Sequence, residues 1–560
     1  MPALRAGTGM GRLLRLQPTG VCGLYPGGLH SFSSGCSAEY CPRKHLERCI
    51  YCRSEGSAAD QERQPMSQII AALRRHAVLQ PDAPALVGEH SALTWRELHE
   101  QVRGLSAKLQ GVGSLGLLLG NSLQWVIADL AALATGITCV PVPHFFSPDQ
   151  VRHALQDAAV DHVICEHAEA FGAVSLAFGS AELSVAGKSL HLLKYDYQQK
   201  TSHAGIAKIT YTSGTTGSPK GVPLSLPQIE TVASSLFKVA EGSEEDRALV
   251  LLPLSTLLEN VGSVYIPVLA GACILVPDAA SLGFHGSSRV DAASLGQKLQ
   301  QLQPTTAILV PHLLKLFIVL AEQQMLPDSF RFIAVGGAPV SASQLAQAKN
   351  LSLPVYQGYG MSEAASVVTM NGIADNRPGS VGKPLPHCRM RIADDGEIML
   401  FGTAFHGYVH DQGHVDREWF ASGDLGYRDE DGYLFVNGRK REVIITAYGR
   451  NVSPEWVESE LLTEASIAQA AVFGNGQPFL SAVIVPAAGQ EQADIQHAIN
   501  RVNLRLPDYA RVQQHVLAPQ PFLPQHGELT ANGRPRRKQI EAHYQDLLSA
   551  SYERKHEHVL

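Results

Sequence analysis

The feature that most narrows the fold is a regular exchange of signals from Met66 onward, in which helix-length amphipathic stretches alternate with short, largely apolar runs. The spacing predicts a helix over Ile69 to Val78, a strand at Ala85 to Val87 and a second helix over Thr94 to Leu109. The runs Leu115 to Leu119, Ala207 to Tyr211, Leu249 to Leu252, Cys273 to Val276, Thr306 to Val310 and Phe332 to Val335 show little polar alternation. Strands of that kind are covered by helices on both faces. The expected fold class is therefore α/β, with a large N-terminal domain of doubly wound subdomains. After about Gly379 the text shifts to short strands punctuated by Asp394-Asp395-Gly396-Glu397 and Asp429-Glu430-Asp431-Gly432, the mark of a small β-rich layer. Beyond Arg439 comes a compact α+β segment that ends in a charged tail. The expected division is a leader over 1–65, a large domain over 66–440, a small C-terminal domain over 441–552 and a tail over 553–560, the large-to-small boundary falling at Gly438 to Glu442.

Composition excludes some function classes. With 560 residues, 45% of them hydrophobic and 17% charged, the chain has the balance of a multi-domain globular protein. A net charge of -7 offers no polybasic attraction to nucleic acid or to anionic lipid. The two most apolar stretches do not suit a membrane span: Trp125 to Val142 contains Asp129, and Val264 to Val276 is short and broken by Pro267 and Gly271. Peripheral membrane contact stays open, and a cytoplasmic location is expected.

Five of the nine cysteines (Cys22, Cys36, Cys41, Cys49, Cys52) lie in the leader, and Cys139, Cys165, Cys273 and Cys388 fall in apolar segments, where they read as reduced, buried thiols. Cys49-x-x-Cys52 with Cys36, Cys41 and His45 matches no standard zinc spacing. The leader reads instead as a disordered extension or a start placed too far upstream, since Met66 opens an amphipathic helix. Its arginines (Arg5, Arg12, Arg15) and lack of acidic residues before Glu39 leave an organelle transit peptide as the alternative.

Among candidate motifs, Gly111-x-Gly113-x-x-Gly116 has the dinucleotide pattern but follows a helix and precedes a strand, the reverse of the required order. No G-x-S-x-G elbow occurs, which sets aside a serine hydrolase. The strongest local signal is Thr212-Ser213-Gly214-Thr215-Thr216-Gly217-Ser218-Pro219-Lys220-Gly221, reached directly from the Ala207 to Tyr211 run. Glycines let backbone N–H groups approach an anion, the hydroxyls add donors and the lysine adds charge, a composition suited to a polyphosphate. It is not the G-x-x-x-x-G-K-[ST] loop, because Lys220 follows Pro219 and Gly221 stands where Ser or Thr is needed.

The string YTSGTTGSPKG resembles the phosphate loop of the AMP-forming adenylating superfamily, and the likeness continues in order from about Met66 to Tyr552. Gly336-Gly337-Ala338-Pro339 resembles that family's adenine-binding turn. Tyr356-Gln-Gly358-Tyr359-Gly360-Met-Ser362-Glu363 resembles the next signature, which implies that Tyr359 stacks on adenine, Ser362 (threonine in most of the family) touches the α-phosphate and Glu363 holds Mg²⁺. Asp424, in Ala421-Ser-Gly-Asp424, is implied to bind the ribose hydroxyls with help from Arg439, and Arg441 to be the hinge of a mobile small domain. Tyr448-Gly449-Arg450-Asn451 resembles the loop that lines a thiol tunnel in the second half-reaction. Leu252-Pro-Leu-Ser255-Thr256-Leu-Leu-Glu-Asn260 and the stretch Gly476 to Val485 look most like the long-chain fatty acyl-CoA synthetase branch, with Ser255, Thr256 and Gly358 implied at the acyl pocket. That branch commonly has histidine at Thr256, so chain length and an aromatic acid both stay open.

The resemblance thus implies a two-step enzyme. A carboxylate and ATP give acyl-AMP with Mg²⁺, and the acyl group then passes to coenzyme A or to a phosphopantetheinylated carrier protein. Thr212, Lys220, Glu363 and Arg534 are the catalytic candidates. In Gly527-Glu-Leu-Thr530-Ala-Asn-Gly533-Arg534 the family's lysine is replaced by Arg534, which keeps the charge but is bulkier and planar. Slow adenylation with unaffected thiol transfer is one expectation, and an adenylation-deficient acyl-AMP binder is the alternative.

Overall fold

The computed structural model describes residues 67–556 apart from 145, 168–176, 196–202, 213–218, 286–288, 403–406, 410–418 and 531–532. The cysteine-rich leader, and every expectation placed on it, lies outside the described residues.

Two twisted sheets form the large part of the molecule. In the first, the strands Val355–Met361, Phe332–Val335, Thr306–Leu309, Arg247–Leu249, Cys273–Val276 and Pro84–Gly88 run parallel, flanked by antiparallel edges. In the second, His162–Cys165, Ser114–Leu118, Thr138–Pro141 and Ile206–Thr212 are parallel, and the hairpin partner Lys220–Ser225 closes one edge. The predicted apolar runs all became strands, with ends shifted by a few residues. The run at Leu249 stops at that residue because the Leu251 N–H is taken by the Glu259 carboxylate, at 2.9 Å.

The stretch Trp125 to Val142 resolves into a helix, Leu123–Thr135, capped at its start by Ser122 and ended by Gly136 at φ +71°, and then the strand Thr138–Pro141. That helix is apolar all round because it is buried on all sides, within one hydrophobic core whose members come from both sheets. Its one charge, Asp129, meets Lys208 of the second sheet at 2.6 Å. Among the described residues no helix is long and apolar enough to cross a membrane.

The β-rich layer is a four-stranded antiparallel meander, Arg389–Ile392, Glu397–Phe401, Phe420–Arg428 and Leu434–Arg439. The C-terminal segment packs helices Pro454–Leu461, Gln492–Arg505 and Arg537–His556 on the sheet Ile467–Phe473, Leu480–Pro486 and Val512–Leu517. The expected tail from 553 is instead helical as far as His556, a continuation of the last helix. The described cysteines are free and buried as expected: burial pushes Cys165 and Cys388 up to about 11 and raises Cys139 and Cys273 as well.

Gly116 shows why its motif misleads. It sits inside the strand Ser114–Leu118, where a Cβ would lie 2.9 Å from Val163 Cγ2 and 3.0 Å from Leu155 Cδ2. It is a packing glycine. Gly116→Ala is expected to cost about 1–3 kcal/mol through overpacking, read as a lower midpoint in denaturant unfolding, with nucleotide affinity unchanged.

Candidate active site

Ligands of open α/β sheets bind beyond the carboxyl ends of the strands, and that is where this chain gathers its polar residues. Asn121, His144, Thr212, Leu252, Val310 and Gly336 each end or follow a parallel strand, and all line one cavity of about 2950 Å³. Drug-sized ligands need pockets of about 300–1,000 Å³, so this space exceeds what one such ligand needs.

The phosphate-loop candidates Ser213, Gly214, Thr215, Thr216 and Gly217 lie outside the described residues, but both ends of their loop are fixed. Thr212 and Lys220 are cross-strand partners at the ends of two paired antiparallel strands. Helix Pro148–Asp157 braces them: Tyr211 Oη donates to Asp157 Oδ2 at 2.7 Å, and a His153 ring nitrogen lies 2.9 Å from the Pro219 carbonyl. Lys220 Nζ stands 4.7 Å from the centre of the Tyr408 ring, and Tyr408 Oη donates to Glu363 Oε1 at 2.9 Å. Tyr408 was not singled out in the sequence, since it belongs to no recognised string. It reaches the site because the Val409 N–H bonds the Gly221 carbonyl at 3.1 Å.

Glu363 sits in the short turn Ser362–Ala364 after the strand Val355–Met361. The adjoining Gly360 has to be glycine, since a Cβ there would overlap the Ser366 carbonyl of the neighbouring strand. The adenine-turn candidates Gly336, Gly337, Ala338 and Pro339 follow the strand Phe332–Val335, with Gly337 at φ +80°. Gly336 approaches the Gly358 carbonyl so closely that a Cβ would lie 3.0 Å from it.

Tyr359 and Asp424 meet beside that turn. Tyr359 Oη donates to Asp424 Oδ2 at 2.6 Å, and Arg439, the cross-strand partner of Asp424, pairs through Nε with Oδ1 at 2.7 Å. Burial raises the Asp424 carboxyl, opposed by the Arg439 charge, and burial next to Asp424 holds the Tyr359 hydroxyl well above its ordinary value. Arg441 is exposed and lines the cavity between two anchored neighbours: Lys440 pairs with Asp395 and Glu397 at 2.6 Å each, and Glu442 pairs with Arg537.

Arg534 enters from the C-terminal segment. The turn that carries it is closed by the Thr530 N–H on the Arg534 carbonyl at 2.7 Å, and its guanidinium donates to the Gly337 carbonyl. Thr212, Lys220, Glu363, Ser362, Gly360, Tyr359, Arg439 and Arg534 therefore all face the same cavity, whereas Gly449 and Asn451 do not. Gly449, at φ +71°, turns the hairpin between Ile444–Ile445 and Asn451–Val452, and a Cβ on it would meet open space. In this arrangement the turn alone accounts for that glycine.

Ser255, Thr256 and Gly358 line the apolar part of the cavity with Leu236, Val239, Phe332 and Met370. Thr256 Oγ1 donates to the Pro253 carbonyl at 2.7 Å, whereas the buried Ser255 Oγ has no partner. Those four apolar neighbours come from three elements, Leu236 and Val239 from the helix Leu226–Val239 and Phe332 and Met370 from separate strands. Behind Thr256, burial pushes Glu259 up to about 8, so its carboxyl is largely protonated at neutral pH.

The AMP-binding enzyme model matches residues 73–410, and the model of that enzyme's C-terminal domain matches residues 441–556. The chain belongs to the AMP-binding enzyme family. Relatives within the family include a long-chain-fatty-acid–CoA ligase, FadD15, of Mycobacterium bovis, 27% identical over 83% of this chain and 93% of that one. Another is a 2-succinylbenzoate–CoA ligase of Bacillus velezensis, 28% identical over 72% and 85%. Among solved structures the anthranilate CoA ligase AuaEII in complex with anthranoyl-AMP aligns with a TM-score of 0.69 at 21% identity, over 88% of this chain and 99% of that one. The O-succinylbenzoate coenzyme A synthetase MenE from Bacillus subtilis, in complex with ATP and magnesium ion, aligns at 0.66 and 23%, over 84% and 99%. The AMP-binding enzyme fold, a large α/β domain followed by a smaller C-terminal one, is thus shared with adenylate-forming ligases.

Glu259 gives this member a measurable pH signature. Because its folded pKa of about 8 lies above the ordinary carboxylate value of 4.5, the folded state holds a proton that the unfolded state releases. Its contribution to stability is full below about 4.5 and is lost as pH rises through about 8. Between those limits wild type should lose melting temperature relative to Glu259→Gln as pH increases; parallel profiles for the two proteins would contradict the assignment.

Proposed function

We propose that the chain activates an apolar carboxylic acid, a fatty acid in the first instance, with ATP and Mg²⁺ and transfers the acyl group to coenzyme A. The observation that carries this reading is the convergence on one cavity of Thr212 and Lys220 from the two ends of the phosphate-loop candidate, Glu363, the Gly336–Pro339 turn, Tyr359 and Arg439 with Asp424 bonded to both, and the Arg534 guanidinium, with Leu257 and Leu258 lining it beside Thr256.

In the first step a carboxylate oxygen bonds to the α-phosphorus, the bond from that phosphorus to the β-phosphate oxygen breaks, and pyrophosphate leaves. No base is needed, because the acid is already ionised at neutral pH. Thr212, Lys220 and the loop between them hold the phosphates, Ser362 the α-phosphate, Asp424 with Arg439 the ribose, and the Gly336–Pro339 turn with Tyr359 the base. Among the described residues no three acidic, histidine or cysteine side chains gather as a metal cage. Glu363 alone fits Mg²⁺ in a nucleotide site, where the ion is held by one or two carboxylates and substrate phosphates. Bound there it would neutralise phosphate charge. In the second step a thiol sulfur attacks the carbonyl carbon of the anhydride, the acyl–phosphate bond breaks, and AMP leaves. The reading takes 66–440 and 441–552 as domains that turn about Arg441 between steps, bringing Gly449 and Asn451 to the thiol. The names of the relatives, all acid–CoA ligases, favour coenzyme A over a carrier protein.

One contact favours a second reading. Arg534 spends a donor on the Gly337 carbonyl of its own chain, as it would in an acyl-AMP binder that no longer adenylates. ATP–pyrophosphate exchange across a panel of fatty and aromatic acids separates the two. Exchange with medium- or long-chain acids is expected, falling about 10²-fold in Arg534→Ala, the scale of losing one charge-stabilising donor, and rising in Arg534→Lys. Binding of acyl-AMP with no exchange for any acid would establish the second reading instead.

Tyr408→Phe removes the donor that orients Glu363. A rise of about fivefold in the KM for Mg·ATP is expected, from the loss of one hydrogen bond of about 1 kcal/mol, with the KM for the acid unchanged.

A further inference from the structure

The apolar part of the cavity has a wall with an unusual backbone. Between the helices Leu257–Asn260 and Ile266–Ala270 the chain makes one wide π turn, Val261–Tyr265, without leaving the helical run. Such turns occur mostly at functional sites. Gly262 and Ser263 of the turn line the cavity beside Thr256, Leu258 and Ile266. A Cβ on Gly262 would overlap Ile308 Cδ1, so the wall packs against a side chain of the neighbouring strand Thr306–Leu309.

A set of buried bonds meets the turn at its two ends. Asn260 immediately precedes it and Tyr265 closes it, and both donate to Asp129 Oδ2, at 3.0 and 2.6 Å. Lys208 Nζ donates to Asp129 Oδ1 at 2.6 Å, to Tyr265 Oη at 2.8 Å and to Asn260 Oδ1. Lys208 is 1% exposed and Asp129 0%. None of the four residues lines the cavity. Lys208 also belongs to the strand Ile206–Thr212, four positions before Thr212, so the cluster ties the acyl wall to the strand that delivers the phosphate loop.

A buried ion pair is a weak source of stability, because well-packed apolar residues of the same volume are often as stable or more so. What apolar residues cannot supply is direction. The turn has its own backbone bond, from the Ile266 N–H to the Val261 carbonyl, and the two charges and their two partners add bonds of fixed geometry to both of its ends. We infer that the Asp129–Lys208–Asn260–Tyr265 cluster is a positioning unit that sets the shape of the acyl pocket and hence its selectivity for chain length. The inference rests on the reading of this cavity as an acyl pocket.

The experiment replaces the cluster by apolar residues of similar volume (Asp129→Leu, Lys208→Met, Asn260→Leu and Tyr265→Phe together), with Tyr265→Phe alone as a mild second variant. Dissociation constants are measured for AMP and for sulfamoyl mimics of acyl adenylates of graded chain length, together with melting temperatures. AMP affinity is expected to stay within about twofold of wild type while the longest mimic weakens about tenfold and the gain per added carbon flattens, the signature of lost positioning. Tyr265→Phe, which removes the hydroxyl's bonds to Asp129 and Lys208, should show the same pattern at about threefold or more. Wild-type dependence on chain length in a folded apolar variant would overturn the inference, as would unchanged dependence in Tyr265→Phe should the fourfold variant fail to fold. A wild-type protein for which the acyl chain adds nothing to AMP binding would overturn the acyl-pocket reading itself, a different result from either.

Discussion

A lysine and an aspartate that meet where water does not reach set the frame of the large domain. Leu123–Thr135 is enclosed on every side, so its Asp129 has no route to solvent, and Lys208 reaches it from a strand of the second sheet. Separating such charges after burial is costly, because each would be left without its hydration and without its partner. The helix and the strand are therefore fixed with respect to each other by charge as well as by packing. Through Asn260 and Tyr265 the same pair reaches the segment that follows the first sheet's strand Arg247–Leu249. Both sheets thus share one polar anchor inside an otherwise apolar core.

With the sheets fixed, the cavity follows from topology. Parallel strands of both present their carboxyl ends on a common side, and their loops supply short backbone turns, glycines and hydroxyls there. The β-rich layer adds Asp424 and Arg439 as cross-strand partners, a pairing that sets their spacing by the ladder itself. The C-terminal segment then delivers Arg534 against the glycine turn, while of its Gly449 hairpin Ile444 lines the cavity and Gly449 and Asn451 do not.

Much of this was legible in the sequence where the signal was local. Continuous apolar runs became strands, Gly379 marked the change to a meander, and the strings around Thr212, Gly336, Tyr359 and Asp424 converge on one cavity. Residues whose importance depends on a distant partner left no such trace. Tyr408 matters because Gly221, far away in sequence, holds its segment beside Glu363. Lys208 drew no notice within the run Ala207 to Tyr211, because nothing near it in sequence announces Asp129. Gly262 is explained only by Ile308. The Gly111–Gly116 pattern failed in the opposite direction, since glycine required for strand packing looks in sequence like glycine required by a phosphate.

The state of the described cysteines has a chemical consequence. Cys139, Cys165, Cys273 and Cys388 are enclosed, and burial keeps each thiol protonated well beyond neutral pH. Thiolate, not thiol, is the nucleophile. A mixed anhydride formed in this cavity would therefore find no competing sulfur among these four, and its acyl group would be kept for the thiol that enters from outside. The interior that keeps these cysteines reduced would also spare the protein acylation by its own intermediate.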